Sequence, residues 1–147
     1  DTPADFLRLL QERDSGILIP DAATQTLLYD FLESPEYHAV HQADYSLISN
    51  PLDLRWQNCN ELMLYAIAAA IWNTTDRAVL RDKLSTTITP TELKVSTIRR
   101  HLGPMIDERL ILDDHDKKVL TTTFGTLTQL FEKTGRLDES YKLSFEG

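Results

Sequence analysis

A single cysteine, Cys59, leaves no possible disulfide within the chain. It gives no sign of compartment, because reducing and oxidising surroundings both suit a lone thiol. Long apolar runs are missing too. The longest, Leu62 to Trp72, has eleven residues, whereas a bilayer-spanning helix needs about 20. No transmembrane segment is expected. Positive charge is scarce: 15 Lys and Arg stand against 23 Asp and Glu, a net charge of −8. Such a chain repels phosphate backbones, so no nucleic-acid partner is expected, and anionic membrane surfaces are disfavoured. The densest basic stretch, Lys94 with Arg99, Arg100 and His101, reads as a solvated helix face.

Other motifs are absent. There is no G-x-S-x-G, no glycine-rich phosphate loop and no regular EF-hand alternation. No cofactor is expected. No repeat or low-complexity tract occurs. The start, DTPADFLRLL, has neither the basic n-region nor the apolar h-region of a signal peptide, and no initiator Met. The expectation is a processed chain or an excised fragment.

What is there fits one globular domain. The 147 residues suffice for a real core, burying roughly 68–70% of the unfolded surface. Helical spacing of Phe6, Leu7 and Leu10 predicts a helix over 3–13. SGILIP (15–20) reads as a short buried strand or extended segment. A helix follows in PDAATQTLLYDFLES, with Ala23, Leu27, Leu28, Phe31 and Leu32 as its apolar face. PEYHAVHQ (35–42) offers two helical turns opened by Pro35. YSLIS (45–49) predicts a strand. Further helices are predicted from Asn58 to about Trp72, over 76–85, from Pro90 to 102 and in TFGTLTQLFEKTG. RLILDD and KKVLTTT suggest two strands around a DDHD turn, and SYKLSFEG alternates like a half-exposed strand. The sum is α+β, helices dominant, with a buried central helix at 59–72 and a small antiparallel sheet.

RWQNCNELMLYAIAAAIW (55–72) carries the chemistry. Asn58 is a good N-cap and Glu61 lies three residues on, the capping-box spacing. Cys59 then falls in the first turn, where the helix dipole favours a thiolate. Glu61 opposes this, because a nearby carboxylate disfavours the thiolate. The competing reading is a small residue that packs at the start of a core helix. A nucleophilic cysteine needs a base. His115, at a strand end between Asp113, Asp114 and Asp116, is the candidate that follows Cys59 in the chain, and it also reads as part of a polar hairpin turn. His101 suits a helix C-terminus. His38, His41 and Asp44 would form a zinc site only if 36–44 were helical.

A family resemblance extends this reading. IPDAATQTLLYDFLESPEYHAVHQADYSLISNPLDLRWQNCNEL, with the later TPTELKVS and DDHD…TTTF segments, resembles a mostly proteobacterial family known as a domain of unknown function. That family is similar to the NlpC-type papain-like superfamily. NCNE resembles the NCE nucleophile motif of lecithin:retinol acyltransferase-like proteins, which are circularly permuted members. The resemblance implies that 1–147 is a single domain, the C-terminal part of a larger papain-like one. It implies Cys59 as catalytic nucleophile, with Asn58 and Asn60 as binding residues of the same motif. In permuted members the base histidine precedes the cysteine. None of His38, His41, His101 or His115 matches it, which implies a second chain supplying the upstream strands and that histidine. The implied activity is a thiol hydrolase or acyltransferase acting on an amide or ester of the cell envelope, in the bacterial periplasm or envelope. The alternative is a non-catalytic binding or scaffold domain on the same core.

Overall fold

The computed structural model describes residues 14–94 and 110–144. The helix expected over 3–13, and the end of the one expected from Pro90, lie outside the described residues. The first described element is a strand, β1 (Asp14–Pro20), followed by helix α1 (Ala22–Leu32). Asp21 caps α1: its Oδ1 accepts from Thr24 N at 2.8 Å. A 3-10 helix spans Pro35–Val40, with Pro35 at its start as the sequence predicts. The long helix α2 (Cys59–Trp72) comes next, then α3 (Arg77–Thr87), with Asp76 Oδ1 accepting from Ala78 N and Val79 N. Short strands β2 (Thr91–Leu93) and β3 (Val119–Thr121) precede α4 (Phe124–Lys133) and the last strand, β4 (Leu137–Ser144). Gly135 ends α4 with φ +67, a left-handed turn that favours glycine.

The architecture is α+β. Helix α2 sits at its centre, with Leu64, Tyr65, Ala68 and Ala69 buried against Val40, Leu80, Leu84 and Leu130. The alanines let neighbours approach closely, as expected of a helix apolar nearly all round. Its N-terminal turn is less covered than predicted: Cys59 and Asn60 are exposed and Met63 is 52% exposed. The small sheet is in fact two separate ribbons. β1 pairs antiparallel with β4, Asp14 opposite Ser144 through Ile19 opposite Glu139. β2 pairs antiparallel with β3.

Four predicted features are corrected. The 45–49 segment is no strand; it makes one parallel bridge, Tyr45 to Gln57. Hydroxyls replace a ladder there, as Ser46 Oγ bonds the carbonyls of Ile48 (2.9 Å) and Ile111 (2.8 Å). The same hydroxyl meets Ile111 N at 3.3 Å, so Ile111 does not join the predicted hairpin. β3 pairs instead with β2, whose residues 91–93 were predicted to be helical. Thr91 and Thr123 hydroxyls meet at 2.7 Å and Lys118 Nζ reaches Glu92 at 2.6 Å, holding that pairing.

The buried face of α1 and the burial of β1 also differ from expectation. Thr24 is buried, Leu28 and Phe31 are half-buried, and Leu27 and Leu32 are exposed. The reason is an anchor at the helix start. Asp21 N donates to Arg136 O (2.9 Å) and Arg136 Nη1 donates to Thr24 Oγ1 (3.1 Å). This turns the 24–28–31 stripe inward, one step from the apolar stripe read in the sequence. β1, predicted as buried, leaves Ile17 exposed opposite Tyr141.

The core assignment is testable. Leu64→Ala removes a fully buried side chain from the middle of α2. It should cost about 2–5 kcal/mol of stability in urea denaturation. A loss below about 1 kcal/mol would mean that α2 is not the centre of the core.

Candidate functional site

The N-terminus of α2 is held by a chain of hydrogen bonds rather than by a simple capping box. Asn58 Oδ1 accepts from Glu61 N at 2.9 Å, as predicted for the cap. The Glu61 side chain does not return to Asn58 directly. Ser49 stands between them: its hydroxyl accepts from Asn58 N (3.0 Å) and donates to Glu61 Oε2 (2.5 Å). Ser49 and the Glu61 side chain are fully buried. The loop before α2 is thereby pinned to the first turn of the helix.

Glu61 is the unusual group. Burial pushes its carboxyl up from 4.5 to about 8. The Ser49 hydrogen bond and the Arg77 charge pull the other way and only partly offset this. Arg77 Nη2 lies 3.8 Å from Glu61 Oε1, too far for a hydrogen bond. The guanidinium is shared among other contacts. Its Nη1 donates to Leu54 O (3.3 Å), and it stacks 5.3 Å from the Tyr65 ring centroid. Tyr65 OH donates to Pro51 O at 2.9 Å, and burial pushes that phenol well above its ordinary range.

The four residues picked from sequence part company here. Cys59 is exposed at the first position of α2. Asn60 is also exposed; its Nδ2 makes a long contact to Thr122 O at 3.5 Å. Asn58 is buried and occupied as the cap. His115 is turned inward, its side chain 2% exposed. Its Nδ1 accepts from Leu120 N (3.3 Å), which leaves Nε2 to donate to Ile48 O (3.3 Å). Asp114 Oδ1 also lies 3.3 Å from Nε2. Asp114 in turn accepts from Asn50 N at 2.7 Å, so the DDHD turn is clamped to the loop before α2. Among the described residues no hydrogen bond joins Cys59 to His38, His41 or His115.

The proposed zinc geometry is not formed. The 3-10 helix stops at Val40, so His38, His41 and Asp44 do not share one helix face. Among the described residues no group of three or more His, Cys, Asp or Glu is disposed to hold a metal ion. No helix among them is long and apolar enough to cross a membrane. Ser49, Arg77 and Tyr65 were not singled out in the sequence. The visible hint was Glu61, one carboxylate at the edge of an apolar helix.

A family model described as "Uncharacterized protein conserved in bacteria (DUF2145)" matches residues 1–131. The chain belongs to this family. The match takes in every residue of the Ser49–Asn58–Glu61–Arg77 cluster, together with Cys59 and His115, in this DUF2145 protein. No curated protein and no solved structure matches the chain.

The raised Glu61 value has a signed consequence. Between its unfolded value near 4.5 and its folded value of about 8, the folded state holds a proton that the unfolded state has lost. Stability from this group is therefore full below about pH 4.5 and is lost as pH rises through about 8. Urea unfolding should show wild type weakening by a few kcal/mol between about pH 5 and pH 8, with Glu61→Gln losing that component. Parallel pH profiles for the two proteins would show that Glu61 titrates normally.

Proposed function

We propose that this protein is a papain-like thiol hydrolase or acyltransferase that uses Cys59 as nucleophile. The observation that carries the reading is the placement of Cys59, exposed at the first residue of a rigid fourteen-residue helix. Two features support it. The terminal N–H groups of the helix can stabilise an oxyanion. Burial raises the Glu61 carboxyl to about 8, so little negative charge stands in the first turn at neutral pH to oppose a developing oxyanion.

In this reading Cys59 Sγ attacks an amide or ester carbonyl, and the carbonyl oxygen takes the negative charge. The tetrahedral intermediate collapses, expels an amine or alcohol and leaves a thioester on Cys59. Water, or an acceptor amine or alcohol, then attacks the thioester and frees the thiol. A histidine takes the thiol proton and returns it to the leaving group. We assign that role to a histidine on strands supplied by a second chain, because both ring nitrogens of His115 are engaged. Asn58 fixes the helix start, and we assign substrate contact to Asn60, the exposed residue next to Cys59 in the chain. Amide- or ester-linked components of the cell envelope are the proposed substrates.

One observation favours a non-catalytic scaffold instead: among the described residues no histidine bonds the Cys59 sulfur. Alkylation separates the two readings. Iodoacetamide at neutral pH should label Cys59 about tenfold faster than free cysteine, whose thiol titrates near 8.5. A rate no faster than free cysteine would leave the scaffold reading in place.

A further inference from the structure

The other end of α2 carries a separate feature. A cavity of about 420 Å³ lies where the C-terminal turns of α1 and α2 meet. Leu27, Phe31, Ala69 and Ala70 give it an apolar wall, and Asp30 and Glu36 add two carboxylates. Its volume falls in the range of about 300–1,000 Å³ typical of small-ligand sites.

The charge around it is one-sided. Each helix C-terminus carries roughly half a negative charge from its aligned peptide dipoles. Neither α1 nor α2 has a basic residue in its last turn to offset this. Among the described residues lining the cavity there is no Lys, Arg or His. The Lys83 ammonium lies 5.5 Å from the ring centroid of Trp72, the last residue of α2, and neither residue lines the cavity. Asn73 closes α2 in the left-handed conformation, φ 50, and donates its N–H to Ala69 O. The helix therefore ends at the cavity with no cationic side chain among the residues that line it.

We propose that this cavity binds a primary alkylammonium. The cationic head sits between Asp30, Glu36 and the two helix ends, and the alkyl stem lies on Leu27, Phe31, Ala69 and Ala70. A neutral alcohol of the same length has the stem but not the charge, and an anion is repelled. The site is distinct from the thiol: fourteen residues of α2 separate the two ends by about 20 Å. It does not depend on Cys59 being catalytic.

Pentylamine titration at neutral pH and low salt, read by amide chemical shifts of the labelled protein, tests this. Saturable shifts are expected at Asp30, Phe31, Ala69 and Ala70. The double variant Asp30→Asn, Glu36→Gln alters side chains at the cavity rim and should keep a folded spectrum while binding about tenfold more weakly. Pentanol should leave those amides unmoved. Nα-acetyl-lysinamide, a blocked lysine, tells the two natural sources apart. Tighter binding than pentylamine points to a lysine side chain of a protein; weaker binding points to a free amine. Equal shifts with pentanol, affinity unchanged in the double variant, or no saturable shift would overturn the proposal.

Discussion

The Ser49 hydroxyl is the small group on which the site depends. It accepts from Asn58 N and donates to Glu61, so one oxygen ties the preceding loop to the first turn of α2. Without it, a buried carboxyl and a buried backbone N–H would both lack partners, each at a cost of about 1–3 kcal/mol. The fixed direction of α2 follows from that tie. So do the core packed along the helix, the exposure of Cys59 at its tip, and the seating of Arg77 between Glu61 and Tyr65. The DDHD turn joins the same assembly through Asn50, whose backbone N–H bonds Asp114.

The two ends of α2 present opposite chemistry on one rigid rod. At the N-terminus the dipole is positive, the cap is filled, and burial largely suppresses the charge on the nearby carboxyl. At the C-terminus the dipole is negative, and two carboxylates add to it rather than cancel it. An apolar helix interior between them insulates one end from the other. The helix thus presents the positive end of its dipole beside Cys59 and the negative end at the cavity.

How much of this was legible depends on what wrote the pattern. Helices 59–72 and 76–85 were readable because Asn58 and Asp76 are strong caps followed by apolar residues at helical spacing. β1 was readable from its flanking Gly and Pro; the last strand was read from alternation at Tyr141 and Leu143, but β4 starts earlier, at Leu137, and residues 138–144 are exposed on both faces. The failures fall where hydroxyls decide. Ser46, Thr91 and Thr123 choose partners far along the chain, and no local spacing announces those choices. The same holds at the site. The exposed position of Cys59 could not be read from an apolar pattern that made α2 look covered on every side. Glu61 looked like an ordinary cap partner until Ser49, twelve residues away, was seen to fill its place.

The β1–β4 ribbon is the more non-local of the two strand pairings among the described residues. Its strands occupy opposite ends of the described chain, and every pair between Asp14–Ser144 and Ile19–Glu139 spans more than a hundred residues. Such pairing demands a large loop-closure entropy before any of its bonds form. The helices around α2, built from near neighbours in sequence, can assemble first. The ribbon clasps the two ends of the described chain, and Arg136, bonded to Asp21 and Thr24, is the catch that aligns it. Of that clasp, β1 lies within residues 1–131 that the family model matches, and β4 and Arg136 lie beyond residue 131.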